Sequence, residues 1–153
     1  MTPQQFVRML RSLPGAVASA DVSELHRSAG ETFREIQEEN FQRASDDNDV
    51  PWPPRKHHYP WPILRKTLKM MKAASVRGAP GNIDSTRGRI LALGIRSADV
   101  HYAKFHQFGT ARLPRRRFLY LKRKDWSRLH PAARRHLRRI LDQARARYGG
   151  TAS

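Results

Sequence analysis

Five prolines within twelve residues, Pro51, Pro53, Pro54, Pro60 and Pro62 in PWPPRKHHYPWP, constrain this chain more than any other feature. A proline has no N–H to donate and clashes with the preceding turn, so neither a regular helix nor a central strand crosses the segment. Residues 44–62 are therefore expected to form one long structured loop. Such loops inside compact domains are usually functional or disordered, and Trp52, Tyr59 and Trp61 give this one apolar surface for docking.

Before the loop the pattern is helical. Thr2, Pro3 and Gln5 read as an N-cap, a first-turn proline and a capping-box partner, with Phe6, Met9, Leu10 and Leu13 on one face and Pro14-Gly15 as the stop. A second, longer helix starts at Asp21 with Glu24. Val22, Leu25, Ala29, Phe33 and Ile36 recur at helical spacing toward Phe41, despite Gly30 at about 1 kcal/mol against alanine. Its outer face is acidic, through Glu31, Glu35, Glu38 and Glu39. After the loop, helical periodicity resumes at Ile63, with Leu64, Leu68 and Met71 opposite Arg65, Lys66, Lys69 and Lys72. Residues 75–95 then read as two or three strands joined by tight turns, with Gly94 as a bulge. At the end of the chain, Asp125 caps a turn holding Trp126, and Pro131 takes a first helical position. Ala133, Leu137, Ile140, Leu141, Ala144 and Tyr148 form an apolar stripe ending at Gly149-Gly150, and residues 149–153 are expected to fray.

Residues 101–119, HYAKFHQFGTARLPRRRFL, form a joint. Tyr102, Phe105 and Phe108 mark a short one-faced helix, and Gly109 stands where helices end in a left-handed residue. Pro114 extends the backbone before it, and the aromatic run Phe118 to Leu121 is strand-like. Arg115, Arg116 and Arg117 stand in the turn between them. Seven histidines raise the question of a metal, but His57-His58 point apart, and His101 and His106 do not share a helix face. His106 and Gln107 read instead as groups that pin the turn.

The succession Tyr102-Ala103, His106-Gln107-Phe108-Gly109, Pro114, Arg116 and Phe118-Leu119 resembles the virion morphogenesis or tail completion family of tailed bacteriophages. Its pattern there is Y-A-x-x-H-Q-x-G followed by P-x-R-P-F-L. Upstream, Phe41, Trp52-Pro53 and Ile63-Leu64-x-x-Thr67 are similar to the family's helix end, W-x-P loop and I-L-x-x-T-G-x-L segment, so the likeness spans roughly residues 33–121. Three positions depart: Arg117 replaces a proline, Leu68 a glycine and Met70 a leucine. The resemblance implies a structural virion protein, a tail completion or head–tail joining component that acts as a homo-oligomeric ring, hexameric in such relatives, at the neck or tail end. It implies neighbouring neck and tail proteins as partners, with assembly in the host cytoplasm.

Charge is distributed unevenly along the 153 residues: the first fifty hold five Lys/Arg and nine Asp/Glu, whereas residues 111–153 hold fourteen and two. Such a field favours polyanions, an acidic partner, or a second copy offering its acidic end to this basic one. With no cysteine there is no disulfide framework or thiolate nucleophile. There is no membrane span or secretory signal pattern, and no P-loop, Rossmann or nucleophile-elbow motif. The sequence therefore predicts no enzyme, cofactor or metal site. The expected fold is a single α+β domain over residues 1–153, with a long N-terminal helix and further helices on a small, mainly antiparallel sheet, and a basic C-terminal helix. Trp52, Tyr59, Trp61, Arg115, Arg116 and Arg117 are expected to face neighbouring subunits or virion proteins. Arg134, Arg135, Arg138 and Arg139 are candidates for DNA contact, and the alternative function is sequence-independent nucleic-acid binding through that face.

Overall fold

The computed structural model describes residues 1–149. The end of the tail expected to fray, residues 150–153, lies outside the described residues. Five helices and one hairpin follow in the order α1 (Pro3–Ser19), α2 (Ser23–Arg43), α3 (Lys69–Ser75), β1 (Asn82–Arg87), β2 (Ile90–Ile95), α4 (Ala103–Phe108) and α5 (Trp126–Gly149), the last entered through a 3-10 turn at Arg123–Asp125. The result is an α+β fold with a two-stranded antiparallel sheet and a basic C-terminal helix.

The core lies where the C-terminal half of α2 meets α3, α4 and the segment after α4. Phe41, Trp52, Met70, Ala73, Ala74, Val100, Ala103 and Phe118 close on one another there. Phe41 is its hub, with the Phe118 ring 5.2 Å away and the Trp52 ring edge-on at 5.9 Å. The two small alanines of α3 allow the close approach of α2 that a larger side chain would prevent.

Several boundaries differ from the sequence reading, each for a local reason. α1 does not stop at Pro14 but runs through it to Ser19. The Leu10 carbonyl that Pro14 cannot serve lies on an exposed flank, where water reaches it. Arg89, at the tip of the β-hairpin, then donates to the Ala18 and Ala20 carbonyls, both at 3.0 Å, and closes the end of the helix. The helix expected from Ile63 starts only at Lys69, because Leu64 and Leu68 both take left-handed backbone conformations, with φ of 61° and 56°. Of the two or three strands expected, the described residues form two, and Gly94 pairs with Ile83 in unbroken register instead of forming a bulge. Pro131 lies inside α5, not at its start, because the 3-10 turn begins the helix earlier: the Asp125 carboxylate accepts the Lys122 N–H at 2.8 Å.

The buried line of α5 is Ala132, His136, Ile140 and Ala144, at intervals of four. Leu137 and Leu141, expected inside, point outward. Helix α1 packs against α5 with Met9 inside, and leaves Phe6, Val7, Leu10 and Val17 exposed on its flank.

Leu68 is the position where the related pattern has glycine. A leucine in the left-handed region costs roughly 1–2 kcal/mol that glycine avoids, and the half-exposed Leu68 side chain recovers little of it. Leu68→Gly is therefore expected to stabilise the chain by about 1 kcal/mol in denaturant titration; a loss of stability would show that the side chain matters more than the backbone.

Candidate functional site

The joint after α4 is built from backbone groups that have no strand to pair with. α4 stops at Gly109, whose N–H donates to the Phe105 carbonyl at 2.9 Å and whose backbone has φ 76° and ψ 171°. That conformation is nearly restricted to glycine. A Cβ there would also lie 3.1 Å from the Arg115 backbone nitrogen, because the chain folds straight back over it. The reversal is fixed by Thr110, whose N–H donates to the Leu113 carbonyl at 2.8 Å and whose hydroxyl accepts the Leu113 N–H at 3.0 Å. Pro114 is exposed on the return.

The segment Phe118 to Leu121, expected to be a strand, is extended but pairs with no strand. Side-chain amides take the strand's place. On one side, Gln107 accepts the Phe118 and Leu119 N–H groups at 3.2 and 3.1 Å and donates to the Leu119 carbonyl at 3.0 Å. On the other, Gln37 accepts the Tyr120 N–H at 3.2 Å and donates to the Tyr120 carbonyl at 3.0 Å, and Asn40 donates to the same carbonyl at 3.1 Å. Gln37 and Asn40 are fully buried. Their trace in the sequence is two amides on the same helix face as Phe33, Ile36 and Phe41, where only apolar residues would otherwise belong.

The joint also holds the proline loop. The buried Arg116 donates through Nε to the Pro53 carbonyl at 3.0 Å and through Nη2 to the Pro54 carbonyl at 3.1 Å, while its own N–H donates to the His106 carbonyl at 2.7 Å. Trp52 donates its indole N–H to the Arg117 carbonyl at 2.9 Å, and the Tyr120 hydroxyl donates to the Ser45 carbonyl at 2.9 Å. Trp52 is thus used inside the subunit, which corrects the expectation that it faces a neighbour, because its indole fills the core; Arg116 is buried and spends Nε and Nη2 on loop carbonyls. Tyr59, Trp61, Arg115 and Arg117 keep surface, although Arg117 also pairs with Asp47.

His106 is half-buried against the edge of Tyr102, and its Nδ1 is enclosed without a protein partner. Desolvation, and then the charge of Arg116, hold its pKa below the ordinary histidine value. Burial, and then the charge of Arg55, lower the pKa of Arg116.

Beside the joint lies a groove of about 450 Å³ between the loop, the start of α3 and α4. Its outer wall is a four-membered stack: Arg55 over the Tyr59 ring at 5.2 Å, Tyr59 on Trp61 at 5.0 Å, and Lys66 over the Trp61 ring at 4.9 Å.

Part of the acidic front is paired within the chain. Glu24 and Glu31 pair with Arg27, Glu35 and Glu39 with Arg128, Asp47 with Arg117 and Asp49 with Lys122. Glu24 and Glu31 share one arginine, Glu35 and Glu39 share another, and Asp21, Glu38 and Asp46 form no ion pair among the described residues, so part of the acidic charge stays available. On α5, Arg139 donates to the Asp21 carbonyl at 3.2 Å and Arg135 approaches Ser28 at 3.4 Å, both turned toward α2. Arg134, Arg138 and Arg145 are exposed along the outer side and pair with no carboxylate among the described residues. The described residues contain no cluster of three or more metal-ligating side chains, and no helix among them is long and apolar enough to cross a membrane.

Neither a curated protein nor a solved structure matches the chain. A family model does, over residues 2–145, which takes in α1, the proline loop, the joint and most of α5. The chain belongs to the phage virion morphogenesis family.

Proposed function

We propose that this virion assembly protein is a tail completion or head–tail joining component that closes a homo-oligomeric ring, sixfold by family resemblance, at the neck or tail end. The observation that carries the subunit contact is the apolar flank of the α1–α5 pair. Phe6, Val7, Leu10, Val17, Leu137 and Leu141 are all more than a third exposed on a peripheral helix pair away from the core. Isolated exposed leucines need no explanation, but an apolar row at positions 6, 10, 13 and 17 on a helix already packed on its other side marks an interaction surface. A heterologous contact that closes a ring can be built on such a flank, with charge complementarity around it.

Leu10→Glu tests it. Leu10 is about half exposed in the isolated chain, so unfolding stability is expected to fall by no more than about 1 kcal/mol. Complementation of a phage lacking the wild-type chain is expected to fall at least tenfold. Full complementation by Leu10→Glu would remove α1 from the interface.

The exposed row Arg134, Arg138 and Arg145 supports a second role, sequence-independent contact with DNA. It predicts a steep loss of duplex affinity with added salt that Arg138→Glu flattens.

A further inference from the structure

The groove beside the joint has a chemistry that neither the subunit contact nor the DNA-facing row uses. We propose that it receives a carboxylate carried on an apolar, extended segment of another virion protein; this rests on reading the chain as an assembly component. Three cations line it, Arg55, Lys66 and Arg116, and no Asp or Glu does. Its apolar surface comes from Ile63, Leu64 and Met70. A site lined by like charges and by hydrocarbon is complementary to an acidic side chain flanked by apolar ones.

The donors needed for this are present. Arg116 spends Nε and Nη2 on the Pro53 and Pro54 carbonyls, and Nη1 donates to no group among the described residues. Lys66 makes its ring contact with Trp61 and pairs with no carboxylate among the described residues. Both guanidiniums are fixed in place by loop carbonyls, Arg55 by that of Trp61, so little side-chain freedom remains to be lost on binding.

The same stack argues against a nucleic-acid occupant. A base would need an open aromatic face, whereas Tyr59 and Trp61 stack on each other and each ring already carries a cation, Arg55 or Lys66. A duplex backbone fits an exposed cationic row, not a groove of about 450 Å³.

The test starts from a random octapeptide display library selected on the full-length wild-type chain, followed by titration of the synthetic winners by Trp fluorescence. Recovered sequences are expected to carry Asp or Glu beside apolar residues, and their Asn or Gln counterparts to bind about tenfold more weakly. Lys66 is exposed, so Lys66→Glu should fold normally and lose at least tenfold in affinity, whereas Arg138→Glu should bind as the wild type does. Recovery of no peptides, recovery without acidic residues, or equal binding by Lys66→Glu would overturn the proposal. So would a single-stranded dT oligonucleotide whose binding Lys66→Glu abolishes, which would assign the groove to nucleic acid. Self-association in sedimentation that Lys66→Glu abolishes would assign it to a second copy. A groove that fails these tests in a chain still required for particle joining would refute the groove alone and leave the assembly role standing.

Discussion

Replacing Gln107 with leucine is expected to destabilise the chain by about 3 kcal/mol, among the largest effects of any substitution outside the apolar core. Gln107 satisfies three backbone groups of Phe118 and Leu119, and no strand lies alongside to take its place. Each buried group left without a partner costs roughly 1–3 kcal/mol, reduced here where water reaches the half-buried site. In a domain of this length that corresponds to a fall of about 10 °C in Tm. Gln107→Glu keeps the acceptor for both N–H groups and loses only the donation to the Leu119 carbonyl, so about half that loss is expected. Thermal unfolding of the two variants measures this. Equal effects would mean that packing at position 107, and not its amide, holds the joint.

The second large effect is expected at Asp84. Arg34 runs back along α2 over Gly30, which leaves room for it, and pairs with Asp84 on β1; both side chains are nearly buried. Breaking a buried pair by removing one partner leaves the other charge without compensation, at about 3–5 kcal/mol. Asp84→Ala strands the Arg34 guanidinium, and a loss of about 3 kcal/mol is expected in denaturant titration. Arg34→Met should cost less, because Asp84 keeps Arg77, whose Nε lies 3.4 Å away. The double variant Arg34→Met with Asp84→Leu should recover most of the stability, since well-packed apolar side chains replace such pairs at little cost. Losses that simply add in the double variant would mean that the two residues act independently.

Much of this architecture was legible in the sequence because it rests on local chemistry. The Thr2–Gln5 capping box forms as its spacing predicts, with Gln5 N–H to Thr2 Oγ1 at 3.2 Å and the reciprocal bond at 2.7 Å. Gly109 ends its helix for the backbone reason that a glycine at that place suggests. What was not legible depends on distant partners. Pro14 and Pro131 look like helix boundaries, and each helix runs through because the flanking turns are held elsewhere, by packing on α5 or by the Asp125 turn. Phe118 to Leu121 has strand composition, but its pairing groups belong to glutamines 11 to 83 residues away. Leu68 reads as a helical apolar position, and only its comparison with a glycine in the related pattern points toward the left-handed backbone found there.

At the candidate site, residue types were readable and their directions were not. Three consecutive arginines separate into an exposed Arg115, a buried Arg116 and an ion-paired Arg117. Trp52 and Trp61 flank one loop, yet the first fills the core and the second walls a groove. The acidic and basic halves of the sequence suggested complementarity between subunits. Folding also brings Arg128 of α5 onto Glu35 and Glu39 of α2, so part of that complementarity is satisfied within one chain.

The central claim, that this chain joins or completes the tail of a virion, is tested most directly by electron microscopy of lysates from a phage with its gene deleted. The expected result is an accumulation of unjoined heads and tails, restored to whole particles by the wild-type chain and not by Leu10→Glu. Normal, infectious particles in the absence of the chain would contradict the account.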